Sequence, residues 1–325
     1  MSKRVHANDG ISSNGKQALT DAGFKVTSDH VPQDKLAEYL NKEHVEVLLV
    51  RSATKVRKDL IDACPGLKLV GRGGVGMDNI DREYATNKRI TVFNTPASSS
   101  ISVAELVMAH LFALVRGLHE SNRHMPVRGQ GEFKELKKTY EKGQELRGKT
   151  LGIIGFGRIG QWTARYALGN GMKVIYADHH ATAEAIEMEV GGQTLRVPVK
   201  MVPLTELLSK ADAISLHVPA QKDGAPVLGR GELALMKPGA VLVNTARGGS
   251  VDEDALLAAL QAGKLRGAAL DVFTNEPTPR ADVLANAHIS LTPHIGAATA
   301  EAQGRIGSEL ADIIIEHYAR QSVDA

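Results

Sequence analysis

Leu151-Gly-Ile-Ile-Gly-Phe-Gly-Arg-Ile-Gly160 is the stretch from which the rest of the chain can be read. Residues 151–154 form a short apolar run that suits a buried strand, and a helical stretch follows. Between them, Gly155, Gly157 and Gly160 have the spacing G-x-G-x-x-G. That spacing alone is a weak signal in a chain with 32 glycines, but the strand before it and the helix after it are the context it requires. Gly155 permits a tight turn, Gly157 lets a pyrophosphate approach the backbone, and Gly160 lets helix and strand pack closely. The helix amino terminus offers free N–H groups and the positive end of its dipole. A second strand over 173–177 ends at Asp178, eighteen residues past Gly160. A carboxylate there accepts hydrogen bonds from both ribose hydroxyls and repels an added 2′-phosphate, so NAD is expected rather than NADP. His179 and His180 beside it soften that exclusion when protonated.

Outward from this motif, short apolar runs alternate with longer amphipathic ones, which is the βαβ rhythm of parallel sheets. A first series has strands at 4–7, 45–51, 68–71 and 90–94, with helices at 14–22 and 35–41. A second begins at Thr150, with strands at 150–154, 173–177, 213–217, 240–244, 268–272 and 289–292. The expected fold is therefore α/β, with two doubly wound parallel-sheet domains. Ser250-Val-Asp-Glu253 reads as a capping box opening a helix over 252–260, and Gly263 as its left-handed stop. Asn94-Thr95-Pro96 reads as the first hinge, because a residue before proline is pushed out of helical geometry. A last helix over 300–320 is placed to pack back on the first domain, and the charged run 128–147 reads as a solvated surface excursion.

A length of 325 residues gives two domains at about 150 residues each, and 43% hydrophobic content suits a globular protein. Thirty-nine Lys and Arg against 37 Asp and Glu leave a net charge of +2, mixed along the chain, which argues against nucleic acid or a membrane as main partner. Cys64 is the single cysteine and the amino terminus lacks an apolar signal core, so a reducing, cytoplasmic location is expected. Residues 104–115 are apolar except Glu105 and His110, but fall short of the ~20 residues of a membrane span. They read as a core helix or a subunit interface. No metal is expected.

In doubly wound sheets, ligands bind at the carboxyl ends of the strands. Arg247 follows the strand at 240–244, Asp271 ends the one at 268–272, Glu276 comes five residues later, and Pro293-His294 ends the one at 289–292. An arginine, a carboxylate and a histidine thus reach one rim. The chemistry that needs them beside a nicotinamide is alcohol–ketone interconversion. Histidine exchanges the hydroxyl proton near neutral pH. A buried carboxylate beside it stabilises the imidazolium and fixes the tautomer. A guanidinium binds the substrate carboxylate and polarises the carbonyl. His294, Glu276 and Arg247 fill those roles in that order.

Longer stretches then resemble a known family. Val50-Arg-Ser-Ala-Thr-Lys55, Gly71-Arg-Gly-Gly-Val-Gly-Met-Asp-Asn-Ile-Asp81, Asn94-Thr-Pro96, Val103-Ala-Glu105 and residues 151–160 match, as do residues 244–252, Ala268-Ala-Leu-Asp-Val-Phe273 and Pro293-His-Ile-Gly-Ala297. Together they resemble the D-isomer-specific 2-hydroxyacid dehydrogenases over nearly the whole chain, most closely the NAD-dependent D-3-phosphoglycerate dehydrogenases. The resemblance implies a central Rossmann NAD-binding domain over 96–296. It also implies a discontinuous flavodoxin-like substrate domain over 1–95 and 297–325, and a homodimer or higher homo-oligomer made through the NAD domains. It implies NAD contacts at Gly155, Phe156, Gly157, Arg158, Ile159, Gly160, Asp178, Thr245, Ala246, Asp271 and Gly296, with Val103 against the nicotinamide ring. For the small 2-hydroxy acid it implies Arg51, Ser52, Arg72, Gly73, Gly74, Val75 and Asn94, the glycine-rich loop offering N–H groups to the carboxylate.

Arg51 and Arg72, at consecutive strand ends, suit a substrate phosphate, which points to oxidation of D-3-phosphoglycerate to 3-phosphohydroxypyruvate in serine synthesis. Glyoxylate or hydroxypyruvate reduction, or another D-2-hydroxy acid, is the alternative within the reaction class. A corepressor-like protein that senses NAD is the alternative outside it. Ala97-Ser-Ser-Ser100 and Val75 depart from the usual family text, and residues 181–202 are longer than usual. The chain stops at Ala325, so no regulatory amino-acid-binding domain is expected.

Overall fold

The computed structural model describes residues 3–323, with side chains to residue 320. Two compact units divide the chain, Met1–Ser100 with Ala297–Ala325, and Ile101–Gly296.

The first unit is a five-stranded parallel sheet of β1 (Arg4–Ala7), β2 (Lys25–Thr27), β3 (Val47–Val50), β4 (Leu69–Arg72) and β5 (Thr91–Asn94). Its order is β2-β1-β3-β4-β5, the flavodoxin-like winding. The helices between strands are α1 (Ser13–Asp21), α2 (Gln33–Lys42), α3 (Lys58–Ala63) and α4 (Arg82–Asn87). Val47-Leu-Leu-Val50 is buried throughout, as a central parallel strand covered on both faces must be. Alternation sends Leu48 and Val50 towards Leu36, Leu40, Leu60 and Ile61 of α2 and α3. Val47 and Leu49 face Leu19 of α1 and Ile306, Leu310 and Ile314 of the last helix. β2 is absent from the sequence reading: it is three residues long, partly exposed, and has no apolar run to mark it.

The last helix meets α1 at two glycines. A Cβ on Gly15 would overlap the backbone of Gly307, and one on Gly307 would overlap the Ser12 hydroxyl. Gly15→Ala should therefore cost about 1–3 kcal/mol of stability by forcing the helices apart. A urea-unfolding midpoint equal to that of the unaltered protein would contradict this.

The second unit opens with α5 (Ser100–Arg116) and α6 (Leu118–Tyr140). It then runs β6 (Thr150–Ile154), α7 (Arg158–Gly169), β7 (Lys173–Ala177), β8 (Ala185–Val190), β9 (Gln193–Pro198), β10 (Lys200–Met201), α8 (Leu204–Lys210) and β11 (Ala213–Leu216). After these come α9 (Arg230–Leu235), β12 (Ala240–Asn244), α10 (Glu253–Gln261), β13 (Leu265–Leu270), α11 (Ala281–Ala285) and β14 (Ile289–Leu291), before α12 (Ala300–Val323) returns to the first unit. Seven strands form one parallel sheet in the order β10-β7-β6-β11-β12-β13-β14. Winding therefore reverses between β6 and β11, the position at which such sheets bind ligands. Val107, Met108, Leu111, Leu114 and Val115 of α5 lie in the core with Leu151 and Ile153 of β6. No single helix among the described residues is long and apolar enough to cross a membrane.

Some local expectations change and others hold. The run 128–147 is largely exposed, as a surface excursion should be, and it is helical to Tyr140, with Leu136 and Leu146 buried and an Arg128–Glu132 ion pair on its exposed face. α10 is capped by Asp252, whose carboxylate accepts the Ala255 N–H, and not by Ser250. Glu253 accepts the Thr274 N–H instead of closing a capping box. β13 starts upstream of 268, which leaves Asp271 just past its end. Gly263 does adopt the left-handed conformation, with φ of 65°. The extra length after Asp178 is the antiparallel hairpin β8–β9, pinned to α7 by Arg165 Nε donating to Glu187 O at 2.8 Å.

Candidate active site

Gly155 has φ of 90°, and a side chain there would strike the His217 carbonyl at the end of β11. A Cβ on Gly160 would overlap the Gly155 carbonyl, whereas Gly157 faces open space. No side chain caps α7, which begins at Arg158 and Ile159, so its first-turn N–H groups suit an anion. Phe156 stacks on Tyr176 at 3.9 Å and fixes the loop between β6 and α7. Asp178 follows β7 and accepts the Phe156 N–H on one oxygen at 2.6 Å, and those of His180 and Ala181 on the other at 2.7 and 2.8 Å. Burial pushes its carboxyl up, but these three donors outweigh burial and hold it below the usual carboxylate range. The residue beside the glycine loop is therefore a fixed anion.

At the end of β12 the Asn244 side chain accepts the Ala246 N–H at 3.0 Å and donates to the Arg247 carbonyl at 2.9 Å, forming the turn that carries Arg247. Only glycine fits at 248, because a Cβ would overlap the Phe273 carbonyl. Arg247 Nη1 donates to the Ala246 carbonyl at 2.6 Å. The Thr245 hydroxyl on this turn is buried without a hydrogen-bond partner. Such an orphan in the nicotinamide half of a dinucleotide fold fits a cofactor that would complete it.

Asp271 is 1% exposed. One of its oxygens accepts the Thr292 hydroxyl at 2.6 Å and the Ile295 N–H at 2.8 Å, and the other accepts the Gly296 N–H at 2.9 Å. Val103 packs against Gly296 on the same floor. His294 has φ of 54°, a left-handed conformation that costs a non-glycine residue about 1–3 kcal/mol. Its Nδ1 lies 2.7 Å from Glu276 Oε2, and Glu276 Oε1 accepts the Phe273 N–H at 2.9 Å. A carboxylate only accepts, so Nδ1 carries hydrogen and Nε2 is left to exchange a proton. The pair is half-exposed, with side-chain exposures of 42% and 35%, which corrects the expectation of a buried carboxylate. Beside it, Phe273, Pro277, Leu284 and Leu291 line a largely apolar cavity of about 450 Å³.

Within the first unit, Arg51 and Arg72 stand at the carboxyl ends of the paired strands β3 and β4. Asp9 accepts the Arg51 and Thr54 N–H groups and the Thr54 hydroxyl, and Asn79 donates to the carbonyls of both residues. Together they hold the turn that exposes Ser52. The loop over Gly73, Gly74 and Val75 is tied down by Gly74 N donating to Thr95 Oγ1 at 2.8 Å and Asn94 Nδ2 donating to the Val75 carbonyl at 2.7 Å. Gly74 has φ of 138°, and a side chain there would run into the Arg72 guanidinium.

The sequence reading missed Asp9, Asn79 and His217. His217 Nε2 lies 2.9 Å from Ser215 Oγ and 3.3 Å from Thr163 Oγ1, and burial pushes its ring down to about 3, so it is neutral. Its position at the end of β11, beside the winding reversal, was the available signal. Among the described residues no group of three or more His, Cys, Asp or Glu could hold a metal.

Residues 108–296 match the family described as D-isomer specific 2-hydroxyacid dehydrogenase, NAD binding domain. The chain is 43% identical over 317 residues to a hydroxypyruvate reductase from Thermotoga maritima, covering 96% of this chain and 97% of that one. It is 40% identical over 312 residues to a D-3-phosphoglycerate dehydrogenase from Methanocaldococcus jannaschii, covering 96% of this chain but spanning just over half, 56%, of that relative. A crystal structure of D-lactate dehydrogenase from Aquifex aeolicus with NAD and lactic acid superposes with a TM-score of 0.77 at 29% identity, covering 99% of this chain and 97% of that one. With the glycine loop and the carboxylate beside it on a doubly wound sheet, these likenesses lead to one conclusion: the chain belongs to the D-isomer-specific 2-hydroxyacid dehydrogenases.

Proposed function

We propose that the protein oxidises D-3-phosphoglycerate to 3-phosphohydroxypyruvate with NAD. The observation that carries the substrate choice is the pair Arg51 and Arg72 at adjacent strand ends, two guanidinium groups suited to a phosphate. NAD supplies the hydride acceptor at nicotinamide C4. The chain's own residues do the rest. Gly155, Gly157, Gly160 and the amino end of α7 bind the pyrophosphate, assisted by Phe156, Arg158 and Ile159. Asp178 binds the ribose. Val103, Thr245, Ala246, Asp271 and Gly296 hold the nicotinamide end. Arg247 binds the substrate carboxylate and polarises the reacting oxygen, with Ser52, Gly73, Gly74, Val75 and Asn94 completing the substrate loops. His294 Nε2 takes the hydroxyl proton, while Glu276 holds the ring through Nδ1. In the reverse direction the imidazolium returns that proton to the oxygen.

Replacing Arg51 or Arg72 by alanine should raise KM for the phosphorylated acid roughly 10- to 100-fold and leave unphosphorylated acids nearly unaffected. Equal KM for phosphorylated and unphosphorylated hydroxy acids in the unaltered protein would overturn the phosphate assignment. Hydroxypyruvate reduction is the second reading, favoured by the Thermotoga relative that matches along both full lengths. An NADH absorbance assay over D- and L-hydroxy acids, with and without phosphate, separates the two and also tests the NAD-sensing alternative, which predicts no turnover.

The cofactor preference has its own test. Asp178→Ser should raise KM for NAD roughly 10-fold or more and improve the use of NADP, since the repelling charge is gone. An unchanged NAD-to-NADP ratio would contradict the ribose role.

A homodimer through the second unit is supported by exposed apolar side chains on α5 and α6, Phe112, Leu118, Val127 and Phe133. The buried Cys64 thiol, pushed up by burial, suits a reducing cytoplasm.

A further inference from the structure

We infer that His110, in the middle of α5, is a positioning residue that anchors the far end of a hydrogen-bond chain ending on Asp271. His110 is 4% exposed and 180 residues from its partners on β14 and just beyond it. Its Nδ1 lies 3.0 Å from Ser290 Oγ and its Nε2 3.1 Å from Thr292 Oγ1. Ser290 and Thr292 are two residues apart, so both hydroxyls point to the same side and one ring bridges them. The Thr292 hydroxyl is also 2.6 Å from Asp271 Oδ1.

Donor and acceptor counting then leaves one arrangement. An ionised carboxylate only accepts, so the single Thr292 hydroxyl hydrogen goes to Asp271. Thr292 Oγ1 must in turn accept from His110 Nε2–H. The neutral ring then has a bare Nδ1, which accepts the Ser290 hydroxyl hydrogen. Burial opposes a charged ring, as does nearby His119, and the Asp271 carboxylate favours it; burial is the largest of these effects and pushes the ring below its usual range. Without His110, the Thr292 hydroxyl still donates to Asp271 but loses the Nε2–H bond that it accepts, so its side chain is held from the carboxylate end alone. Asp271 also accepts the Ile295 and Gly296 N–H groups, and those two residues form the turn next to His294.

The bland alternative is a core histidine that does no more than satisfy two hydroxyls. Both readings predict lost stability when the ring is removed, so stability does not decide. The inference rests on the assignment of Asp271 to the nicotinamide end, and the experiment separates the two. Kinetics with NAD are measured for His110→Leu, Thr292→Val, the double variant and Asp271→Asn. His110→Leu should lower kcat/KM for NAD roughly tenfold, and in the Thr292→Val background it should add less than about twofold, because the chain is already cut. Independent, multiplying losses would overturn the inference. A large loss for Asp271→Asn with none for His110→Leu would overturn it while sparing the Asp271 assignment, whereas no loss for Asp271→Asn would overturn that assignment. If His110→Leu does not fold, ¹⁵N-histidine NMR decides: the ring at position 110, told apart from the other buried neutral ring by a His217→Asn variant, should remain locked as the Nε2–H tautomer from about pH 5 to 8. A ring at position 110 that carries hydrogen on Nδ1, or that titrates in this range, would overturn it.

Discussion

His294→Ala should lower kcat roughly 10²- to 10⁴-fold, the usual contribution of a positioned general acid–base group. NADH binding, read by fluorescence titration, should stay within about twofold, because the proposed role of the imidazole is on the substrate proton and not on the dinucleotide. The direction follows from the local geometry. Glu276 occupies Nδ1 at 2.7 Å and the Phe273 N–H holds Glu276 in turn, so Nε2 alone is left for the hydroxyl. Glu276→Gln should lower kcat less than His294→Ala, since an amide can still accept from Nδ1–H but no longer balances the imidazolium charge. Near-normal turnover in His294→Ala would remove the proton-transfer role altogether.

The second large effect is expected at Arg247. In the proposed reaction this one guanidinium serves both the substrate carboxylate and the oxygen on which charge changes. Removing one donor to such an oxygen costs roughly 10²- to 10³-fold in kcat, and losing a charge-assisted bond to the carboxylate adds about 10- to 100-fold in KM. Arg247→Ala should therefore lower kcat/KM by about 10³- to 10⁵-fold and affect both constants. Arg247→Lys should recover only part of this, because an ammonium lacks the planar fork that meets a carboxylate with two bonds. A rise in KM alone would mean that Arg247 binds substrate equally in ground and transition states and does not polarise the carbonyl. The supporting turn makes a cleaner control. Asn244 bonds to the Ala246 N–H and the Arg247 carbonyl, so its loss should misplace the guanidinium without removing any charge.

Periodicity and glycine spacing made most of this legible from the chain. The strands of residues 150–154, 173–177 and 240–244 coincide with those of the structure because each is a mainly apolar run, and that of residues 4–7 coincides although Arg4 and His6 interrupt its apolar residues. Weak signals failed. β2 is too short and too exposed to have a pattern, and the start of β13 is hidden because Leu265-Arg-Gly alternates without an apolar run. The charged run 128–147 is a solvated surface segment as read, but its helix has no sequence signature because its apolar face is narrow, with Leu136 as the buried residue of α6. Ser250 and Asp252 both offer capping oxygens, and only backbone geometry chose Asp252.

At the site, residues carried by contiguous motifs were readable, whereas those whose role depends on distant partners were not. Asp9 bonds to a turn more than forty residues away, and His110 bonds to Ser290 and Thr292 across 180 and 182 residues. Nothing local to either residue records such a contact. The half-exposure of Glu276 was invisible for the same reason, since burial is set by elements that the sequence does not place beside it.

The most direct test of the central claim is a crystal structure of the protein with NADH and an unreactive 2-oxo acid. The account predicts His294 Nε2 and the Arg247 guanidinium each within about 3 Å of the keto oxygen, which is hydrogen-bond distance. A fully occupied complex in which either group lies beyond about 5 Å, or in which another side chain bonds that oxygen, would contradict it.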